Sequence, residues 1–398
     1  ATMADIYDAQ TVLLIGNDVT QQNPLVAWQI RTGVRHHGQR LYVINGKESK
    51  IHRQAAQLVE VAKDRERNAV RWLATGEGQF DAGVSEALSK LKEGLEKETD
   101  VLILFGANIQ GAAIRDLVAF GSRLPGKTRY IPLGDYANSR GAAEMGVLPD
   151  RLPGYAPIAD KAERTRFGKL WGGEIPPAPG LTARAMMEAA ASGKLKALYV
   201  VGANPVKTFG VIAPDRIAGL ELLVVQDMFL TETAQRADVV LPAASTYEKD
   251  GTLTNTAGEV QATHRSIDAQ GPRSDYDLIR ILSHQLAMLG LGSPIRLRTP
   301  EAAFDEIRQN VAGYDLSVAN LLADRAQLSR AACKVADASR FERTPDSYDV
   351  APGTVFSAND FLFTSGTLGR YCSKLNSTNE AKDAPWTSSP STQSWWYR

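Results

Sequence analysis

Cysteine is nearly missing from this 398-residue chain, which has only Cys333 and Cys372. They lack Cys-x-x-Cys spacing, so cysteine cannot build an iron–sulfur or zinc site within one chain. Such a pair reads as reduced thiols of a cytosolic-type compartment, with a single disulfide as the minor alternative. The five histidines are too few and too scattered for a metal centre. His36-His37 closes a predicted helix and serves its C-terminal dipole, and His264 and His284 have no His-x-x-x-His partner. Net charge is absent as well. Lys+Arg and Asp+Glu number 45 each, leaving no field to gather nucleic acid or an anionic membrane. No apolar run approaches the roughly 20 residues of a membrane span. Asp5 and Asp8 stand where a signal peptide would be basic and then apolar. These absences predict a soluble protein with no direct membrane insertion. The chain also lacks a Gly-x-Ser-x-Gly elbow and a Gly-x-x-x-x-Gly-Lys phosphate loop. Gly202–Thr208 resembles the latter only superficially, since Lys207 follows too closely and no second glycine precedes it.

What is present is an apolar supply, 43% of residues, ample for two or three domains of about 100–200 residues. Strands and helices alternate. Val12-Leu13-Leu14-Ile15 is a short apolar strand, a helical pattern runs from Pro24 to His37, and Leu41-Tyr42-Val43-Ile44 is the next strand. That βαβ order predicts a parallel sheet. Val84, Leu88, Leu91 and Leu95 recur at i, i+4, i+7 and i+11, predicting an amphipathic helix. Val101–Phe105 is a fully apolar strand that again meets a glycine.

A weak internal repeat follows from these strands. Val12–Asp18, Val101–Asn108 and Ala197–Asn204 each run from a buried strand to Gly, a small or amide residue, then Asp or Asn. In a parallel sheet such loops lie at the carboxyl edge, where open α/β folds bind ligands. Glycine admits a phosphate to the backbone, and Asp or Asn caps the next helix. A tight strand-to-helix turn without any ligand explains the same pattern, and the motif alone favours that plainer reading.

Asn138–Gly180 reads as a proline-rich irregular segment, either a linker or a long functional loop. A second α/β unit follows, with strands at Leu198, Leu222–Asp227 and Asp238–Leu241, the last a buried strand reaching Pro242. A short helix is expected from Thr231, an acidic glycine-punctuated hairpin across Glu248–Gln261, and a packing helix over Tyr276–Leu289. Glu248, Asp250 and Glu259 read as solvated turn residues rather than general acids or bases. Beyond Gly290 apolar density falls, and the Ser/Thr/Pro-rich tail from Asp383 cannot order itself. Its Trp386, Trp395, Trp396 and Tyr397 leave docking on a partner open. The expected organisation is a first α/β domain over 1–137, a connecting segment over 138–180, a second α/β domain over 181–290 and an extension over 291–398.

Ala237–Ser245 together with Glu248–Gln261 resembles the cofactor-domain signature of the molybdopterin oxidoreductase superfamily. Val12–Asn45, Asn138–Tyr155, Lys196–Val206 and Leu222–Leu241 resemble further parts of that family in the same order. The resemblance implies an α/β fold of two pseudo-symmetric Rossmann-like parallel-sheet units with an irregular tail. It implies two pyranopterin guanine dinucleotides, one per unit. The metal's ligand and a four-cysteine iron–sulfur cluster are expected only in an upstream region. Candidate cofactor-binding positions are Gly16, Asp18, Gly202, Asn204, Asp227 and Asp238, read as vestigial, with no catalytic residue and no metal ligand. Where family enzymes commonly end the first unit's second strand in an acidic residue, this chain has Asn45-Gly46-Lys47. An amide lacks the charge that strengthens such a bond. Asp227 and Asp238 keep acidic positions in the second unit, so the nucleotide sites are expected to be half preserved.

Val147-Leu148-Pro149-Asp150 and Phe363–Tyr371 resemble one branch, the large iron–sulfur subunits of respiratory complex I, the NADH:quinone oxidoreductase. That branch implies a cofactor-free structural domain, not itself catalytic, partnered by other peripheral-arm subunits. Its expected place is the cytoplasmic face of a bacterial inner membrane or the mitochondrial matrix side. The alternative is a fragment of an active molybdenum or tungsten bis-pterin oxidoreductase such as a formate dehydrogenase. A third reading is a module that binds a nucleotide through one preserved unit.

Overall fold

The computed structural model describes residues 2–329 apart from 47, 63, 107, 135 and 209–216. Both cysteines, the Phe363–Tyr371 motif and the aromatic tail lie outside the described residues.

The first unit runs α1 (Met3–Asp8), β1 (Thr11–Ile15), α2 (Pro24–His36), β2 (Arg40–Asn45), β3 (Gln57–Glu60), α3 (Glu66–Thr75), α4 (Ala82–Leu95), β4 (Asp100–Phe105), α5 (Ala112–Gly121) and β5 (Lys127–Pro132). The strands form one parallel sheet of order β3-β2-β1-β4-β5. Its central strands are buried along nearly their whole length because helices cover both faces. Leu13, Ile15, Ile44, Ile103 and Phe105 share one core with α3, α4 and α5. Val12, Leu14, Val43, Leu102 and Leu104 share the other with α1 and α2. On α4, Leu88, Leu91 and Leu95 are buried at the expected spacing, and Asp81 caps the helix by accepting from Val84 N at 2.8 Å.

The amino edge of this sheet closes over one buried carboxylate. Glu98 accepts from Thr11 Oγ1 at 2.8 Å and Tyr42 Oη at 3.1 Å, and pairs with Arg40. Burial, reinforced by Glu98, pushes the Tyr42 phenol up to about 12.

The segment read as irregular carries α6 (Ser139–Glu144), the short paired strands β6 (Arg151–Leu152) and β7 (Ala156–Pro157), and α7 (Lys161–Trp171). Asp160 starts α7 by accepting from Ala162 N at 2.8 Å, and Gly172 ends it at φ 71°.

The second unit contains α8 (Ala183–Ala191), β8 (Ala197–Val201), α9 (Pro205–Thr208), β9 (Leu222–Asp227) and β10 (Val239–Pro242). Its sheet is parallel, of order β10-β9-β8. Met187, Val200, Leu223 and Val225 form the core under one face. β10 corrects the expectation of a buried strand: among the described residues it is an edge of the sheet, and Val239 and Val240 are 43% and 39% exposed. The helix expected from Thr231 is a single 3-10 turn, Ala234–Arg236.

The hairpin forms as expected from β11 (Gly251–Thr254) and β12 (Glu259–Thr263). It is followed by α10 (Asp275–Met288), α11 (Pro300–Asn310), α12 (Val318–Leu322) and β13 (Gln327–Leu328), which pairs with β12. Despite the thinner apolar sequence beyond Gly290, Phe304, Val311, Tyr314 and Leu321 bury a further core with Val260. No helix among the described residues is long and apolar enough to cross a membrane.

Candidate nucleotide crevices

In the first sheet β1 and β4 are neighbours, and their following loops meet at the carboxyl edge, the switch point where open α/β sheets take ligands. Here the two loops touch. A Cβ on Gly106 would fall 2.1 Å from Gly16 O, and one on Gly16 (φ +61°) would fall 2.5 Å from Asn108 Oδ1. The side chain of buried Asn108 therefore occupies the space above Gly16. Arg67 holds that loop, its Nε donating to Asn108 O at 2.6 Å.

Asp18 is consumed internally. Its Oδ1 accepts from Thr20 N at 3.1 Å, Thr20 Oγ1 at 2.5 Å and Ser49 Oγ at 2.6 Å, and its Oδ2 from Gln21 Nε2 at 2.7 Å. Asp18, Glu48, Ser49, Lys50 and Arg53 line an open depression of about 490 Å³ beside it. Both signs of charge meet there.

The missing acidic end of β2 is replaced from elsewhere in the fold. Asn45 is buried, with Nδ2 donating to Asn17 O at 3.4 Å. Gly46 N donates to Glu66 Oε1 at 2.9 Å, so the carboxylate at this corner comes from the first turn of α3. Burial pushes the Glu66 carboxyl above its ordinary range. The Glu66 carboxyl meets the Asn108 side chain, and among the described residues Asn17 Oδ1 is buried without a hydrogen-bond partner. Sequence reasoning overlooked Glu66. The signal was its spacing, because Glu66, Val70, Leu73 and Ala74 lie on one helical face and all four are buried.

The second unit repeats the loop with a different outcome. Gly202 has φ +60°, yet a Cβ there would meet none of the described residues within 4 Å. Asn204 is buried, donating to Glu232 Oε2 at 2.6 Å and accepting from Thr233 Oγ1 at 2.8 Å. Asp227 ends β9 at the same edge; its Oδ1 accepts from Phe229 N at 3.0 Å, and the Met228 backbone also favours the charged carboxylate, while its Oδ2 is buried without a partner among the described residues. Burial pushes its carboxyl up. Asp238 is not brought to this group. It precedes β10 and accepts from Leu223 N at 2.6 Å, tying strand beginnings at the amino edge. The structure thus places Gly16 and Asp18 at one carboxyl edge, Gly202, Asn204 and Asp227 at another, and Asp238 away from both.

The hairpin carboxylates act as turn residues: Glu248 accepts from Ser245 N at 2.7 Å, Asp250 from Arg265 N at 2.9 Å and Glu259 from Asn255 Nδ2 at 2.8 Å. A buried polar lock then joins α6 to the hairpin. Glu144, fully buried, accepts from Arg140 Nε at 2.7 Å and from Tyr314 Oη, while Asn138 Oδ1 accepts from Thr254 N at 2.8 Å. Among the described residues no cluster of three or more His, Cys, Asp or Glu could hold a metal ion.

Residues 1–285 match the family model described as molybdopterin oxidoreductase. A G-type NADH-quinone oxidoreductase subunit of Rhizobium meliloti is 33% identical over 349 residues, 79% of this chain and 40% of that protein. Putative formate dehydrogenase YrhE of Bacillus subtilis is 30% identical, over 72% of this chain and 34% of its own length. The alpha chain of the F420-dependent formate dehydrogenase of Methanocaldococcus jannaschii is 31% identical, over 79% and 52%. The chain thus spans between a third and about half of each of these relatives. Among solved structures, acetylene hydratase from Pelobacter acetylenicus superposes with a TM-score of 0.51 at 15% identity, covering 82% of this chain and 55% of its own. That likeness concerns the fold alone.

Proposed function

Since the chain belongs to the molybdopterin oxidoreductase family, we propose that it is a structural domain of an NADH:quinone oxidoreductase-type assembly without a pterin cofactor of its own. Its role is to house and shield an electron path whose clusters sit in other parts of the complex, at the inner face of an energy-transducing membrane. The observation that carries this reading is the filled first crevice. Where a dinucleotide's diphosphate would rest against Gly16, the Asn108 side chain already stands and Gly106 abuts the Gly16 carbonyl. Both carboxylate oxygens of Asp18 already accept hydrogen bonds from neighbouring side chains and backbone. The similarity to the Rhizobium meliloti NADH-quinone oxidoreductase protein supports the same assignment.

A second reading, a domain of an active formate dehydrogenase-type enzyme, is favoured by the other unit. Among the described residues Gly202 is uncrowded and the Asp227 Oδ2 acceptor is unfilled, a pair suited to a diphosphate and a ribose hydroxyl. A molybdopterin guanine dinucleotide, when bound, would supply the redox-active metal, and Gly202 and Asp227 would hold its nucleotide half. Elemental analysis with pterin extraction on the purified chain separates the two. The structural reading expects neither molybdenum, tungsten nor pterin. Metal near one per chain together with pterin would replace it by the enzymatic one.

A further inference from the structure

We propose that His52 is a proton-operated latch: as a neutral imidazole it caps the turn that ties Ser49 to Asp18, and on protonation it turns to Glu60 and lets that tie go. The device lies at the carboxyl edge of the first sheet and stands under either functional reading.

The segment after β2 passes through a short 3-10 helix, Lys50–Gln54, with Ser49 as its N-cap. Ile51 N donates to Ser49 Oγ at 3.5 Å, and Ser49 N donates to His52 Nδ1 at 3.4 Å. This is the reciprocal exchange of a capping box, in which Glu or Gln is usual at the position His52 holds. Histidine accepts at Nδ1 only while that nitrogen carries no proton. The cap is therefore coupled to the one side-chain type that ordinarily titrates near neutrality.

Ser49 holds more than the turn. Its Oγ donates to Asp18 Oδ1 at 2.6 Å, across 31 residues of sequence. Thr20 and Gln21, which also donate to Asp18, belong to its own loop. Ser49 thus joins the loop after β1 to the segment after β2. Lys50 and Arg53 of the same turn line the depression of about 490 Å³ together with Asp18 and Glu48. Ile51 is buried in one core with Val26 and Ile30 of α2, so the turn stays anchored while its capped end can move.

The His52 side chain is 7% exposed. With Nδ1 accepting, the neutral ring carries its hydrogen on Nε2, which is buried without a hydrogen-bond partner among the described residues. An added proton therefore enters at Nδ1. It removes the acceptor of Ser49 N and sets a donor against that amide hydrogen, while Glu60 Oε1 stands 4.0 Å from the same nitrogen. Glu60 ends β3 with an exposed side chain, free to close the gap and accept the new hydrogen. The charges acting on the ring are Glu60, Asp18 in the loop after β1, and Glu48 just before the turn; Lys50 and Arg53 flank it on the turn itself. Burial outweighs the three carboxylates and holds His52 below the ordinary histidine range. The capped, neutral form is the resting state at neutral pH, and the latch opens in mild acid.

NMR of the histidine-labelled full chain from about pH 8 to 4.5 reports the ring, and residue-resolved hydrogen exchange over the same range reports the cap. Above its midpoint His52 should be the Nε2–H tautomer, and the midpoint should lie below about 6.5. Protection of the Ser49, Ile51 and Thr20 amides, corrected for intrinsic exchange, should drop on the order of tenfold across that midpoint. Leu13 and Ile15 in β1 should keep theirs. His52→Gln restores a capping acceptor that does not titrate, so its protection should be flat with pH. Glu60→Gln removes the charge that receives the new hydrogen, and should move the ring midpoint and the exchange step to lower pH together. An Nδ1–H tautomer at neutral pH, or a midpoint at or above about 6.5, overturns the proposal. Amides whose protection ignores the ring midpoint overturn it as well. An exchange step that survives in His52→Gln, or stays in place in Glu60→Gln, does the same by assigning the acid response to other groups.

Discussion

Single residues at the two carboxyl edges explain why the two crevices differ. Asn108 over Gly16, and none of the described residues over Gly202, give opposite environments to loops that read alike in sequence. Glu66 adds a consequence that can be measured. Its carboxyl is held above the ordinary glutamate range mainly by burial, partly offset by hydrogen bonds including that from Gly46 N. A folded value above the unfolded one means the native state holds the proton longer, so stability is greatest below the unfolded value and is lost as pH rises through the folded one. Glu66→Gln keeps an acceptor for Gly46 N while removing the buried charge. The variant should be more stable than the parent above neutrality, and the gap should close near pH 4, about the unfolded glutamate value. Urea midpoints of both proteins across pH 4 to about 9 check this; a gap independent of pH would show that Glu66 does not titrate in this way.

Elements were the most legible scale, for a physical reason. An apolar run between turn residues specifies a strand whatever lies around it, so β1, β2, β4 and β9 could be placed from Val12–Ile15, Leu41–Ile44, Val101–Phe105 and Leu222–Asp227. Burial depends on neighbours, and sequence does not state them. β10 is as apolar as a central strand, yet it is an edge because no strand lies beyond it among the described residues. α10 shows the same gap: its apolar residues predict a packing helix, but Ile279, Leu282 and Leu286 remain 37–39% exposed. Where both pattern and neighbours agree, as on α4, the energetic expectation is firm. Leu91→Ala should cost about 2–5 kcal/mol, since the site is fully buried between α4 and the sheet. Glu86→Ala on the solvent side of the same helix should leave the unfolding midpoint almost unchanged, its pair with Lys90 being exposed. Thermal or urea unfolding of both variants tests the assignment of faces.

At the scale of the whole chain, the long-range polar contacts were least legible, because they join residues far apart in sequence. Asn138, Arg140 and Glu144 looked like part of a connecting loop, and Tyr314 like part of a thinning extension. In the fold they form one buried lock with Thr254 and the Thr256 carbonyl. Burial and the hydrogen bond to Glu144 push the Tyr314 phenol far up, which keeps it neutral as a donor to that carboxylate. The apolar cluster of Val260, Phe304, Val311 and Tyr314 is separate from the two cores of the first sheet. Opening of the lock should therefore loosen the hairpin with α11 and α12 as a unit. Glu144→Ala strips Arg140 and Tyr314 of a shared buried partner, a loss of about 3–5 kcal/mol for a buried pair broken on one side. Native-state hydrogen exchange should then quicken across residues 251–263 and 304–321 while residues 101–105 of β4 keep their protection. Equal acceleration in β4 would mean that the hairpin region and the first sheet unfold as one cooperative body.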